Sequence, residues 1–348
     1  MRSLSRWLLV FIMGMSRGAS GGEIHDAVVQ GNFEGVRALL DANAELVSAE
    51  GQNSLTPLHF ACMHRHEDIA LLLITRGADP RKSSGTGDTP LHLCASYRQL
   101  RVVELLLRRG ADVRARNSHD ATPLHYALYS GEATIVRALL AAGADPLART
   151  RQGSTPLHEA ARTRVVSTAE LLLAHRVAVD TVDDYGATPL MRALDPGISR
   201  PPEPMLSLLL DRGARVDNRD KQGFTPLQIA LKNGLVSAAE FLVSRGADIS
   251  VRDARGRTVL HTAVIGRLRD FIRLLLKRGA DPNAADGEGL TSLHYASWDG
   301  NAELTRVLLG AGALANARDA RGFTPLWYAV RLSRGPVESE LRKAGGAE

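Results

Sequence analysis

Eleven histidines, two cysteines and scattered carboxylates are the residues of this 348-residue chain with the chemistry for metal binding, proton transfer or nucleophilic attack. Seven of the histidines, His25, His59, His92, His125, His158, His261 and His294, occupy one position of a recurring motif. Of the rest, His64 and Asp68 stand one helical turn apart beside His66 and Glu67, but a structural zinc site wants four ligands and the set is incomplete. Asp180, Asp183 and Asp184 form an acidic cluster. Paired carboxylates can cleave glycosides when one is held protonated in a cleft; this cluster falls in the register of a polar loop and reads as a solvated turn. Cys62 and Cys94 are too few for a disulfide framework or a four-cysteine zinc site. They sit one motif position apart on the inner side of adjacent helices, so buried free thiols are expected, with a disulfide or redox pair as the lesser reading. No Gly-x-Ser-x-Gly elbow, phosphate-binding Gly-x-x-x-x-Gly-Lys or His-Glu-x-x-His occurs. Neither catalysis nor a cofactor or metal is expected.

The elements that carry these residues follow from a repeat. Apolar residues make up 44% of the chain and charged residues 23%, which excludes wholesale disorder. No apolar stretch reaches the roughly 18 residues of a spanning helix. The string Thr-Pro-Leu-His-x-Ala, with variations, starts at Thr56, Thr89, Thr122, Thr155, Thr188, Thr225, Thr258, Thr291 and Thr324, at intervals of 33 residues with a single interval of 37. An earlier unit aligns through Ile24 to Ala27, Gly31, Val36 and Leu39-Leu40. Thr can cap a helix and Pro fits its first turn, where no N–H is needed. In the unit beginning at Thr122, Leu124, Ala127 and Leu128 form one helical stripe and Ile135, Val136, Leu139 and Leu140 a second. Gly131 ends the first helix, and Gly143 stops the second in a left-handed turn. That stop recurs at Gly77, Gly110, Gly213, Gly246, Gly279, Gly312 and Gly345; Asn43 is expected to take the same geometry, and Arg176 alone breaks the rule. Helices of about two turns are unstable alone, so the units must stack into a solenoid with a continuous core.

The period, the Thr-Pro-Leu-His-x-Ala start and the Leu-Leu-Leu-x-x-Gly-Ala-Asp end, seen at 71–79, 105–112 and 274–281, resemble the ankyrin-repeat family over about residues 22–346. The resemblance implies an all-α repeat solenoid of ten helix pairs, capped at both ends, with β-hairpin finger loops between them. It implies that the motif histidines are structural hydrogen-bonding residues, and that the chain is a binding scaffold whose partner the fold does not specify.

Residues 1–21 stand apart from this domain of 22–348. Arg2 and Arg6 flank an apolar run from Trp7 to Met15, followed by small residues, the pattern of a secretory signal peptide. An organelle presequence and a flexible tail are the rival readings. A genuine signal would place the protein in the periplasm or outside the cell; otherwise it is cytoplasmic. A four-residue insertion enlarges the stretch 195–204, where Pro201, Pro202 and Pro204 are expected to exclude helix and stiffen a loop. With Arg176 close by, 175–204 reads as a tolerated irregularity, with a hinge or docking loop as the alternative.

Function must then lie on the surface. The resemblance implies a groove lined by fingers and by the exposed ends of the first helices, which here hold Met63, Tyr97, Tyr129 and Trp298. In a chain with 5% aromatics these are candidate anchors, or else partly buried against neighbours. Arg114, Arg116, Arg149 and Arg151 form the strongest part of a basic finger edge, suited to bidentate bonds with carboxylates. A net charge of +5 admits an acidic protein, an anionic lipid or nucleic acid. Interspersed acids and the lack of lysine runs disfavour nucleic acid. The expectation is a monomeric protein-interaction scaffold bound to a protein or extended peptide of acidic character, with a regulatory subunit or inhibitor of a partner enzyme as the alternative.

Overall fold

The structure, a computed structural model, describes residues 22–348, so the N-terminal segment read as a signal lies outside the described residues. Among the described residues there are twenty α-helices and no strand. They divide into two compact bodies at 184/185. Repeats 1–5, the last four starting at Thr56, Thr89, Thr122 and Thr155, form the first body. Repeats 6–10, starting at Thr188, Thr225, Thr258, Thr291 and Thr324, form the second.

Repeat 4 shows how sequence becomes fold. Thr122 is extended, Pro123 opens the helix Pro123–Ser130, and Gly131 ends it at φ +71°. The helix Ala133–Ala141 follows. Gly143, at φ +90°, then donates to Leu140 O while Ala144 donates to Leu139 O, both at 3.0 Å. These two bonds are the left-handed stop that satisfies the last carbonyls. The expected stripes are the buried ones: Leu124, Ala127, Leu128, Ile135, Val136, Leu139 and Leu140. Burial of each large side chain is worth about 1.5–3 kcal/mol, so stacked pairs persist where single helices would not.

The fingers are tight turns rather than extended ribbons, with only two isolated antiparallel bridges among the described residues, Arg252 with Thr258 and Ala285 with Thr291. Within a finger, Thr150 N donates to Ser154 O and Gly153 N to Thr150 O. Neighbouring fingers join edge to edge, as where Ser118 N donates to Thr86 O and Arg151 N to His119 O.

Three sequence expectations are corrected. Cys62 and Cys94 are joined in a disulfide, not free. Their separation of 32 residues, one short of the period, turns the two side chains toward each other. Asn43 is extended at φ −148°, and its side chain instead accepts from Glu45 N to start a 3-10 turn, Ala44–Ser48. Arg176, by contrast, is as expected a non-glycine residue at a left-handed stop, at φ +56°. Prolines 202 and 204 do not exclude helix. They open the helix Glu203–Asp211, with Pro202 at its cap, because a first turn needs no N–H donor. What the insertion shortens is the preceding helix, Pro189–Arg192.

Candidate partner-binding surface

The motif histidines are structural. In repeat 3 the Nδ1 of His92 accepts from Thr89 N at 3.1 Å, which leaves Nε2 carrying the proton. Nε2 then donates to Ala121 O in the next repeat at 3.1 Å. His59, His261 and His294 reach Asp88 O, Leu290 O and Phe323 O in the same way. Burial lowers the affinity of all four for a second proton, and holds His59 and His125 at a pKa of about 4. The Nε2 of His125 is buried without a hydrogen-bond partner among the described residues.

The four finger arginines are exposed, and three of them have a structural task. Arg114 Nε donates to Gly143 O at 2.9 Å, capping the second helix of the following repeat. Arg116 Nη1 donates to Arg149 O at 3.1 Å, and Arg149 Nη2 to Val182 O at 2.7 Å. These partners are neutral, so the bonds hold the guanidinium groups in place without cancelling their charge. Arg151 approaches a carboxylate, Asp120, at 4.0 Å. Asp112 and Asp145, both exposed, accept the amides of Arg114 and Leu147 within their own turns.

The helix-end residues divide between the two bodies. Met63, Tyr97 and Tyr129 are half-buried. Burial, and then the Tyr129 phenol, pushes the Tyr97 hydroxyl up in pKa. Arg162, at the equivalent position of repeat 5, lies over the Tyr129 ring at 5.4 Å. In the second body Trp298 is 53% exposed and stacks on Tyr328 at 5.7 Å and 12°. Arg334 Nε donates to its carbonyl at 3.3 Å.

Two features escaped the sequence reading. Arg162 Nη2 and Nε bond Glu159 Oε2 at 2.5 and 2.9 Å, and Ser154 Oγ donates to Glu159 Oε1 at 3.0 Å. Burial alone would raise the Glu159 carboxyl, but Arg162 outweighs it and holds it below the usual range. The i, i+3 spacing is visible in the sequence; the burial is not, because it is made by the repeats on either side. The second feature is an open, shallow recess beside this pair, lined by Ser96, Tyr126, Tyr129, Thr150, Glu159 and Arg162.

Comparison with known families agrees with this architecture. A three-copy ankyrin-repeat model matches residues 24–117, 76–150, 124–200 and 198–286, and a many-copy ankyrin-repeat model matches 275–329. The chain belongs to the ankyrin-repeat family. It is also similar to protein phosphatase 1 regulatory subunit 27 of mouse, 39% identical over 65 residues, and to its human counterpart, 38% identical over 65. Each match covers 19% of this chain and 42% of the relative, so the chain spans less than half the length of the curated relatives it matches. Ankyrin repeats point to protein partners, and among the described residues no helix is long and apolar enough to cross a membrane.

Proposed function

We propose that the protein is a non-enzymatic, monomeric scaffold. It holds an extended, acidic segment of another protein against the fingers and helix ends of residues 22–184. The observation that carries this reading is the state of Arg114, Arg116 and Arg149: exposed, fixed by bonds to carbonyls, and uncancelled by those bonds. Fixed guanidinium groups lose little entropy on meeting carboxylates, and they offer bidentate geometry. A pull-down from the protein's own cells tests it. Changing Arg114, Arg116, Arg149 and Arg151 to Glu should abolish capture of the partner, while changing the same four to Lys should retain most of it. Equal capture by both variants rules the finger edge out.

A second reading, regulation of a partner enzyme, is favoured by the likeness to a phosphatase regulatory subunit over 65 residues. It refines the first, since the enzyme would be the bound protein. For the compartment, the Cys62–Cys94 disulfide supports an oxidising one, in line with a signal-like N-terminus. Intact mass of the protein isolated after alkylation in its own cells decides this: both thiols alkylated places it in a reducing compartment.

A further inference from the structure

The recess of repeats 3–5 differs from the rest of the helix-end row. At its equivalent positions in the second body the row exposes its side chains, 46% for Ile265 and 53% for Trp298. Arg162 is 8% exposed and Glu159 9%. A buried ion pair adds little stability over apolar residues of the same size. This pair does something else: it holds the Arg162 guanidinium over the Tyr129 ring, giving the recess a preformed wall. Glu159 uses both oxygens inward, one on Ser154 and one on Arg162. What faces the opening is therefore mainly tyrosine ring and aliphatic stem. Thr150, buried and directly between Arg149 and Arg151 in the chain, is one of the residues lining the recess.

We propose that this recess is an anchor pocket for one apolar side chain, of leucine to phenylalanine size, in an extended acidic peptide. The proposal rests on the acidic-segment reading above and adds the register: apolar residue inward, acidic residues outward on the finger arginines. A carboxylate would be rejected from the recess by Glu159, whereas a ring or branched chain would be desolvated between Tyr126, Tyr129 and the Arg162 plane. Aromatic and arginine walls around a central pocket are the usual setting of an interface hot spot.

Fluorescence anisotropy tests it with three labelled peptides of Glu and Asp that differ only in a central Ala, Leu or Phe. The full chain should bind the Leu or Phe peptide roughly ten-fold more tightly than the Ala peptide. Ser96→Phe, which fills the recess, and Tyr129→Ala, which opens its wall, should each reduce that preference to less than about two-fold. Circular-dichroism melts identify a variant that has lost its fold, in which case the other variant decides. Equal binding of all three peptides by the native chain overturns the pocket and leaves the acidic-segment reading standing. So does a Leu preference that survives in a folded variant. Absence of binding by every peptide overturns both.

Discussion

His92 joins two repeats through one ring: its Nδ1 accepts the Thr89 amide, and its Nε2 donates to the Ala121 carbonyl 29 residues downstream. Repeat 7 shows what a glutamine does in this position, since Gln228 Oε1 accepts the Thr225 amide at 3.0 Å. His92→Gln should therefore keep the local cap and lose the bridge, at a cost of about 1–2 kcal/mol. His92→Ala should lose both and cost about 2–3 kcal/mol. Urea titration of the two variants beside the parent checks the order; equal stabilities would show that the bridge contributes nothing.

Acid should weaken the fold through its buried histidines. His59 and His125 are folded in the neutral form with a pKa of about 4, because burial opposes charge. The unfolded chain takes up these protons near pH 6.5. Their contribution is thus complete above pH 6.5 and is lost as pH falls from there toward 4. At pH 5 the loss is roughly 2 kcal/mol for each of the two. Thermal melts at about pH 7.5 and pH 5 should differ strongly, and those at about pH 7.5 and pH 8.5 hardly at all. A transition midpoint unchanged at pH 5 would refute neutral burial.

The disulfide supports a third prediction. Closing a loop of 32 residues restricts the unfolded chain by about 3–4 kcal/mol in the chain-entropy account. The double variant Cys62→Ser, Cys94→Ser should lose stability of that order. Reducing agent should lower the melting temperature of the parent and leave the double variant unaffected. A parent indifferent to reductant would contradict a closed bridge.

Arg176 gives a stabilising prediction. A residue with a Cβ at φ +56° costs on the order of 1 kcal/mol relative to glycine. Arg176→Gly should raise the urea midpoint by a corresponding amount, and Arg176→Val, with its branched side chain, should lower it.

The sequence carried most of the fold because the repeat forces the same backbone states at the same places. Glycine at 143 can be read as a left-handed stop since few other residues tolerate it, and Thr-Pro can be read as a helix start because both residues suit an unsatisfied first turn. The positions read wrongly are those where a neighbour decides. Asn43 had a closer partner in Glu45 N than the stop geometry offered. Pro202 and Pro204 stood at a helix start, where proline is tolerated, and not inside a loop. The cysteine pair was legible in principle, because 32 rather than 33 residues brings the sixth position of one first helix and the fifth of the next face to face. The half-burial of Tyr129 and the full burial of Glu159 were not legible, since both depend on which side chains the adjacent repeats present.

The forward reach of His59, His92, His261 and His294, and of Arg114 and Asn283, gives each body a direction. In every case the donor lies in the earlier repeat and the acceptor in the later one. Deleting a repeat from the N-terminal side frees carbonyls at the edge, which water satisfies easily. Deleting one from the C-terminal side strands an imidazole that has already been enclosed. In repeats 2, 3, 8 and 9 a chain leaving the ribosome therefore holds an imidazole donor whose carbonyl comes with the repeat that follows. Other bonds run the opposite way, from a later repeat back to an earlier carbonyl, as Gln99 Nε2 to Cys62 O and Arg278 Nη1 to Val243 O, so each joint is laced from both sides.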